Sequence, residues 1–169
     1  MIKKLRIAMS KIETRKSTIS GYGAFAKEKI AKGELIMTLV GESFITDDID
    51  KACKERGIGE CDPLQIDDVT YLDLTPTSKY INHSCEPNAG IRKNSDLIAI
   101  KEIERGEEIT YDYATTVGVN DTMLMHCHCG AKNCRKLINN ILSISKATLD
   151  KYSKLNVLPD FIKRQLGLL

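Results

Sequence analysis

The chain lacks any apolar run near the roughly 18–20 residues that a bilayer-spanning helix needs, and its opening MIKKLRIAMSKIETRK lacks the apolar core of a secretory signal. The reading is therefore an intracellular protein with no membrane role. The chain also lacks a charge excess: 25 Lys and Arg against 23 Asp and Glu leave a formal net charge of +2. Such a balance is no nucleic-acid signature, because a phosphate-tracking surface shows a clustered basic excess. With 42% apolar and 28% charged residues, the sequence is not collagen-like, mucin-like or disordered. Its 169 residues fit one compact domain with appendages. Six cysteines without an export signal point to metal or catalytic thiols before disulfides.

What is present is a series of short pieces. Residues 7–9, 24–26, 35–44, 69–72, 89–92, 97–100 and 108–111 are apolar, β-branched or aromatic, each too short for a self-sufficient helix. A mainly β fold with short helices is expected. Two turns resemble each other, Ala31-Lys32-Gly33-Glu34 and Glu104-Arg105-Gly106-Glu107, each with a glycine where a positive φ is called for. One early helix is marked by a Thr46 cap, Asp47 and Asp48 at its positive end, Lys54 and Arg56 at its negative end, and a closing Gly57. Its buried stripe is Ile49, Ala52 and Cys53, so Cys53 reads as a small core residue. Cys61 has no partner at metal spacing. After Cys134 come a helical pattern around 147–154, a helix-starting Pro159 and an amphipathic tail over 160–169. The simplest reading of that tail packs it on the domain; the functional alternatives are a lid over a cleft or a homodimer contact.

Cys127, Cys129 and Cys134 form C-x-C-x4-C within CHCGAKNC, three soft ligands suited to Zn²⁺, which takes four in a tetrahedron. The fourth is open among His126, His128, a distant cysteine and water. Side chains alternate in an extended segment, so both histidines point away from the face of Cys127 and Cys129, which favours a distant cysteine. Cys85, in the polar turn YINHSCEPN, is the best candidate. Closing such a site across roughly 40 residues would make metal binding part of folding.

The same turn crowds Asn82, His83, Ser84 and Asn88 behind an apolar Tyr80-Ile81. Such a cluster either ties a strand crossing together or presents groups to a ligand. A His83–Cys85 thiol enzyme is disfavoured, since no orienting carboxylate or oxyanion loop accompanies the pair. Downstream, Tyr111 and Tyr113 share one side of an extended segment. Upstream, Gly21-Tyr22-Gly23 lets backbone approach a ligand closely, yet it is no dinucleotide fingerprint, because the third glycine is missing.

Together and in this order, SGYGAFAKEKIAKGELI, VGE, YINHSCEPN, AIKEIERGEEITYDY and CHCGAKNCR resemble the SET-domain protein-lysine methyltransferases, from about Thr18 to Ile138. The tail through LPDFIKRQL is similar to that of short microbial members. The resemblance implies a knotted SET β fold in which two chain segments form the site, and transfer of methyl from S-adenosylmethionine to a lysine ε-amine of a histone-like or other basic protein. Carried over by position, Gly21, Tyr22, Gly23, Asn82 and His83 would hold the cofactor and Leu137 would flank its adenine. Tyr113 would be the active-site phenol and Tyr111 the group limiting product to mono- or dimethylation. Cys85, Cys127, Cys129 and Cys134 would be the structural zinc site.

The implied organisation is a catalytic domain over 1–126 (core about 18–115), a post-SET zinc segment over 127–138 and a helical tail over 139–169. The protein would be cytoplasmic if microbial and nuclear or chromatin-associated if eukaryotic or viral. Leu39 stands where many relatives have an aromatic residue in the lysine channel, Lys79 where Arg is frequent, and Lys136 where Gly is frequent. The contrasting class is a catalytically silent peptide-binding module stabilised by zinc, and a third is methylation of a small molecule.

Overall fold

The computed structural model describes residues 11–59 and 62–169. The strand expected at 7–9 and Cys61 lie outside them. β1 (Ile12–Lys16) and β2 (Tyr22–Ala26) pair antiparallel, Ile12 opposite Ala26 through Lys16 opposite Tyr22. The single strand expected over 35–44 is two, β3 (Leu35–Thr38) and β4 (Gly41–Ile45), which enter different sheets. At the break Leu39 turns fully into the core, and Gly41 lies so close to the neighbouring strand that a Cβ would sit 2.2 Å from the Asp73 carbonyl oxygen. Apolar periodicity reads burial and cannot see a change of sheet.

A three-stranded sheet orders β4, β6 (Thr70–Leu74) and β5 (Leu64–Asp67), and a second orders β3, β9 (Asp96–Ala99) and β8 (Ala89–Arg92). α1 (Ile49–Arg56) connects β4 to β5. Its cap is Asp48, whose carboxylate accepts from Lys51 N, and not Thr46; the Thr46 hydroxyl instead accepts from Asp48 N at 3.1 Å and fixes the capping residue. Gly57 ends it at φ 68, and Cys53 is its buried residue. A one-turn helix, α2 (Pro76–Lys79), follows β6.

The two similar turns are structural twins. Gly33 has φ 85 and Gly106 φ 83. Glu34 accepts from Ala31 N at 3.0 Å, and Glu107 from Glu104 N at 3.1 Å. The residues before them, Ile30 and Ile103, pair antiparallel and are wholly buried. Beyond the second turn, β10 (Thr110–Tyr111) runs parallel to β7 (Asn82–His83), with Thr110 beside Asn82 and Tyr111 beside His83. Buried Asn88 completes the crossing: its amide donates to Glu108 O and its carbonyl accepts from Thr110 N. The polar turn thus ties two chain segments together.

Two cores result. The first gathers Ile30, Ile36, Leu39, Ile81, Ile91, Leu97, Ile103, Ile109 and Tyr111. The second joins Ile98 and Ala114 to the C-terminal part: β11 (Met125–His126), β12 (Leu137–Ile138), α3 (Lys146–Lys154, capped by Ser145) and α4 (Asp160–Gln165). Tyr152, Leu158, Phe161 and Ile162 are buried there. Phe161 and Ile162 of the tail are thus spent within their own chain, while Leu168 and Leu169 at its end stay exposed; the packing supports neither the lid nor the dimer contact. Tyr113 packs against both cores.

Candidate functional site

The parallel β7–β10 pair sets Asn82 and His83 beside Tyr111 and Tyr113, and two cavities open around them. The larger, about 300 Å³, lies between the turn at 19–22, the polar crossing and β11. Gly21, Tyr22, Asn82, His83 and Tyr113 line it. Gly21 has φ 44 with open space where a Cβ would point. The Asn82 amide donates to the carbonyls of Ser20 (3.2 Å) and Tyr22 (3.1 Å) and to Glu108 Oε1 (2.7 Å), so it anchors the glycine turn as well as walling the cavity. Gly23 does not reach the cavity. It lies behind, where a Cβ would sit 2.2 Å from Glu108 Oε1, so close packing demands the glycine there. Leu137 is half-exposed on β12, paired with His126, which does line the cavity. Lys79 stands at the cavity in an ion pair with Asp62.

His83 is held neutral. Burial, then the positive charge of Arg135, lowers its pKa to about 3. Its Nδ1 accepts from Tyr113 N at 3.1 Å, so the proton sits on Nε2, 3.4 Å from Cys85 Sγ. The 3.7 Å approach of Asp112 Oδ1 to Nδ1 is therefore no ion pair. Asp112 is paired elsewhere: buried beneath the tyrosines, it accepts from Arg135 Nη2 and from Tyr152 OH at 3.2 Å.

The smaller cavity, about 50 Å³, is lined by Tyr111, Tyr113, Tyr71, Gln65, Asp121 and Met123 among others. Among the described residues, only Tyr113 lines both cavities. Its ring is 4.9 Å from that of Tyr111 and 5.4 Å from that of His83, and its hydroxyl donates to Ile81 O at 2.8 Å. Burial pushes the Tyr111 phenol well above its ordinary pKa, so it remains a proton donor. Leu39 lines neither cavity; it is core.

The four thiols of Cys85, Cys127, Cys129 and Cys134 lie within 4.8 Å of one another. Cys85 Sγ and Cys127 Sγ are 3.8 Å apart, the edge of a tetrahedron whose centre is about 2.3 Å from each sulfur. Backbone N–H groups of Cys129, Arg135 and Lys136 point at Cys127, Cys85 and Cys134 Sγ at 3.4–3.5 Å, as suits thiolates. The donor set fits Zn²⁺. His126 and His128 line the larger cavity, but so do Met125 and Cys127, and the strand ends at His126, so strict alternation does not sort these residues.

Sequence reasoning missed three groups here. Glu108 binds Asn82 and, with both oxygens at 2.8 Å, Ser17 Oγ. His126 and His128 were weighed only as ligands. Asp121 and its partners carried no motif at all.

Residues 21–114 match the SET domain, and the chain belongs to that family. Among curated proteins it is 37% identical over 137 residues to human histone-lysine N-methyltransferase 2B, and 33% identical over the same length to the H3 lysine-4 specific histone-lysine N-methyltransferase of Candida albicans. Each alignment covers 73% of this chain, yet the chain spans only 5% and 13% of those proteins. A solved structure of KRYPTONITE with mCHH DNA, an H3(1-15) peptide and SAH superposes with a TM-score of 0.58 at 26% identity, over 75% of this chain and 29% of that one. A humanized mutant of Chaetomium thermophilum Polycomb Repressive Complex 2 bound to the inhibitor GSK126 gives 0.54 at 26% identity, over 62% and 15%.

Proposed function

We propose that the chain is an S-adenosylmethionine-dependent protein-lysine N-methyltransferase that places one or two methyl groups on a lysine of a histone or similarly basic protein. The observation that carries this reading is the pair of cavities that meet at Tyr113. A donor and an acceptor admitted from separate mouths would meet at that phenol. The larger cavity has the size of a small-molecule site, and the smaller one is narrow and walled by phenols, as an extended alkyl amine needs. The names of the relatives and the SAH and H3 peptide of the KRYPTONITE structure support the same class.

S-adenosylmethionine, when bound, supplies a methyl group already made electrophilic by its sulfonium, so the protein needs no acid to activate a leaving group. Gly21, Tyr22, Asn82 and His83 would hold it, with His126 and His128 on the opposite wall. The chain's task is alignment and exclusion of water. A lysine of pKa about 10.4 is neutral in only about one molecule in 2,500 at pH 7, so the narrow cavity must favour the neutral amine. Desolvation between Tyr111 and Tyr113 does so. The Tyr113 ring, fixed by its bond to Ile81 O and by His83 under its backbone, keeps the amine lone pair in line. The zinc site would fasten the 127–138 segment, and with it the β11 wall of the larger cavity, onto Cys85.

Transfer of labelled methyl to histones and to a proteome extract, with mass spectrometry of the product, tests the reading. Tyr113→Phe is expected to lower turnover about 100-fold with cofactor affinity little changed. Labelled small molecules with unlabelled protein would reverse the substrate class, and tight peptide binding without any transfer would favour a silent module.

A further inference from the structure

Among the described residues, the smaller cavity is lined by a single charged group, the carboxylate of Asp121. It is a built feature. Oδ2 accepts from Gln65 Nε2 at 2.8 Å and Oδ1 from Tyr71 OH at 3.2 Å, and both partners are buried. The backbone is held as firmly: Asp121 N donates to Gly118 O at 3.1 Å, Asn140 Nδ2 donates to Asp121 O at 2.8 Å, and Gln65 Oε1 accepts from Gly118 N at 2.8 Å. All the donors at the carboxylate are neutral, and among the described residues no cation pairs with it. A neutral acceptor would satisfy Gln65 and Tyr71 equally well. A half-buried charge without an internal counterion is suited to a cation from outside.

That cation is not the methyl acceptor. A carboxylate against the target amine would hold it protonated and oppose transfer. We infer that Asp121 is a specificity-determining residue that receives a second basic side chain, neighbouring the target lysine in the substrate. This inference rests on the lysine-methylation reading above for the identity of the occupant.

The test uses fluorescent peptides with one central lysine, differing only in Arg, Ala or Glu beside it. Their binding to the full chain with S-adenosylhomocysteine present is measured alongside methyl transfer, for the wild type, Asp121→Asn and Asp121→Lys. Circular dichroism verifies that each variant is folded. The wild type should bind the Arg-flanked peptide about tenfold more tightly than the Ala-flanked one, as one charge-assisted contact provides. Asp121→Asn should bring that ratio to about one, and Asp121→Lys should prefer the Glu-flanked peptide. A ratio unchanged in Asp121→Asn, or near one in the wild type, overturns the inference. So does an equal loss on all three peptides, which would set the carboxylate against the target amine. A charge preference in binding without any transfer sustains Asp121 and removes the methyltransferase reading; transfer without the preference does the opposite.

Discussion

On the proposed reading, a single oxygen of Tyr111 separates two product distributions. The phenol is buried and stays protonated, so its hydroxyl occupies space that another methyl would require. Tyr111→Phe empties that space. The expected outcome is mono- and dimethyllysine from the wild type and trimethyllysine from the variant, read by mass spectrometry of one peptide. Lys136 poses a different residue-scale question. Its φ is 67, in the left-handed region, where a side chain is strained and glycine is not. Lys136→Gly keeps the N–H that points at Cys134 Sγ and should raise stability by about 1 kcal/mol, checked by urea unfolding of the metal-loaded protein. Much of the site was legible at this scale. The tyrosine pair, the polar turn and the cysteines are local strings whose chemistry follows from residue type. Asp121 was not, because only a fold that brings residues 65 and 71 to 121 gives it meaning.

At the scale of elements, Glu108 is the strut between the glycine turn and the crossing. It sits at the isolated bridge between Phe25 and Glu108, holds Ser17 and Asn82, and fills the space that the absent side chain of Gly23 leaves. Removing it leaves Asn82 to hold the 19–22 turn through two long bonds. Each lost hydrogen bond to a charged group is worth about 1.5 kcal/mol or more. Glu108→Ala should therefore weaken cofactor binding about tenfold by calorimetry. Gly23→Ala, which drives a methyl into the same carboxylate, should have a similar effect. The sequence pattern marked β8 and the twin glycine turns at their true places, since turn chemistry is local. It ran β3 and β4 together, did not register β1, whose residues are mostly exposed and polar, or β5, and did not register the two-residue β7, β11 and β12. Two-residue strands have no periodicity to detect; their partners, far along the chain, make them strands.

For the molecule as a whole, the four thiols, all in or against the second core, are the fastening between the polar crossing and the C-terminal segment. Cys85 belongs to the crossing and the other three to the C-terminal segment, which also contributes Tyr152 to Asp112 and Phe161 to the second core. A structural zinc contributes on the order of 10 kcal/mol, as large as the entire net stability of a domain, about 5–15 kcal/mol. Chelation should accordingly release residues from about 120 onward, seen as new protease cleavage there and a large fall in thermal midpoint. Hydrogen exchange that leaves this segment protected after chelation would show that packing alone holds it.

That Tyr113 borders both cavities also has a kinetic meaning. On the proposed reading, spent donor departs from and fresh donor enters the larger cavity while the acceptor chain stays seated in the smaller one. Successive additions then need no dissociation of the acceptor, and the order of arrival is not compulsory. In a pulse experiment with excess peptide, doubly modified product should appear before the singly modified pool has accumulated, and dilution of the peptide should leave that ratio unchanged.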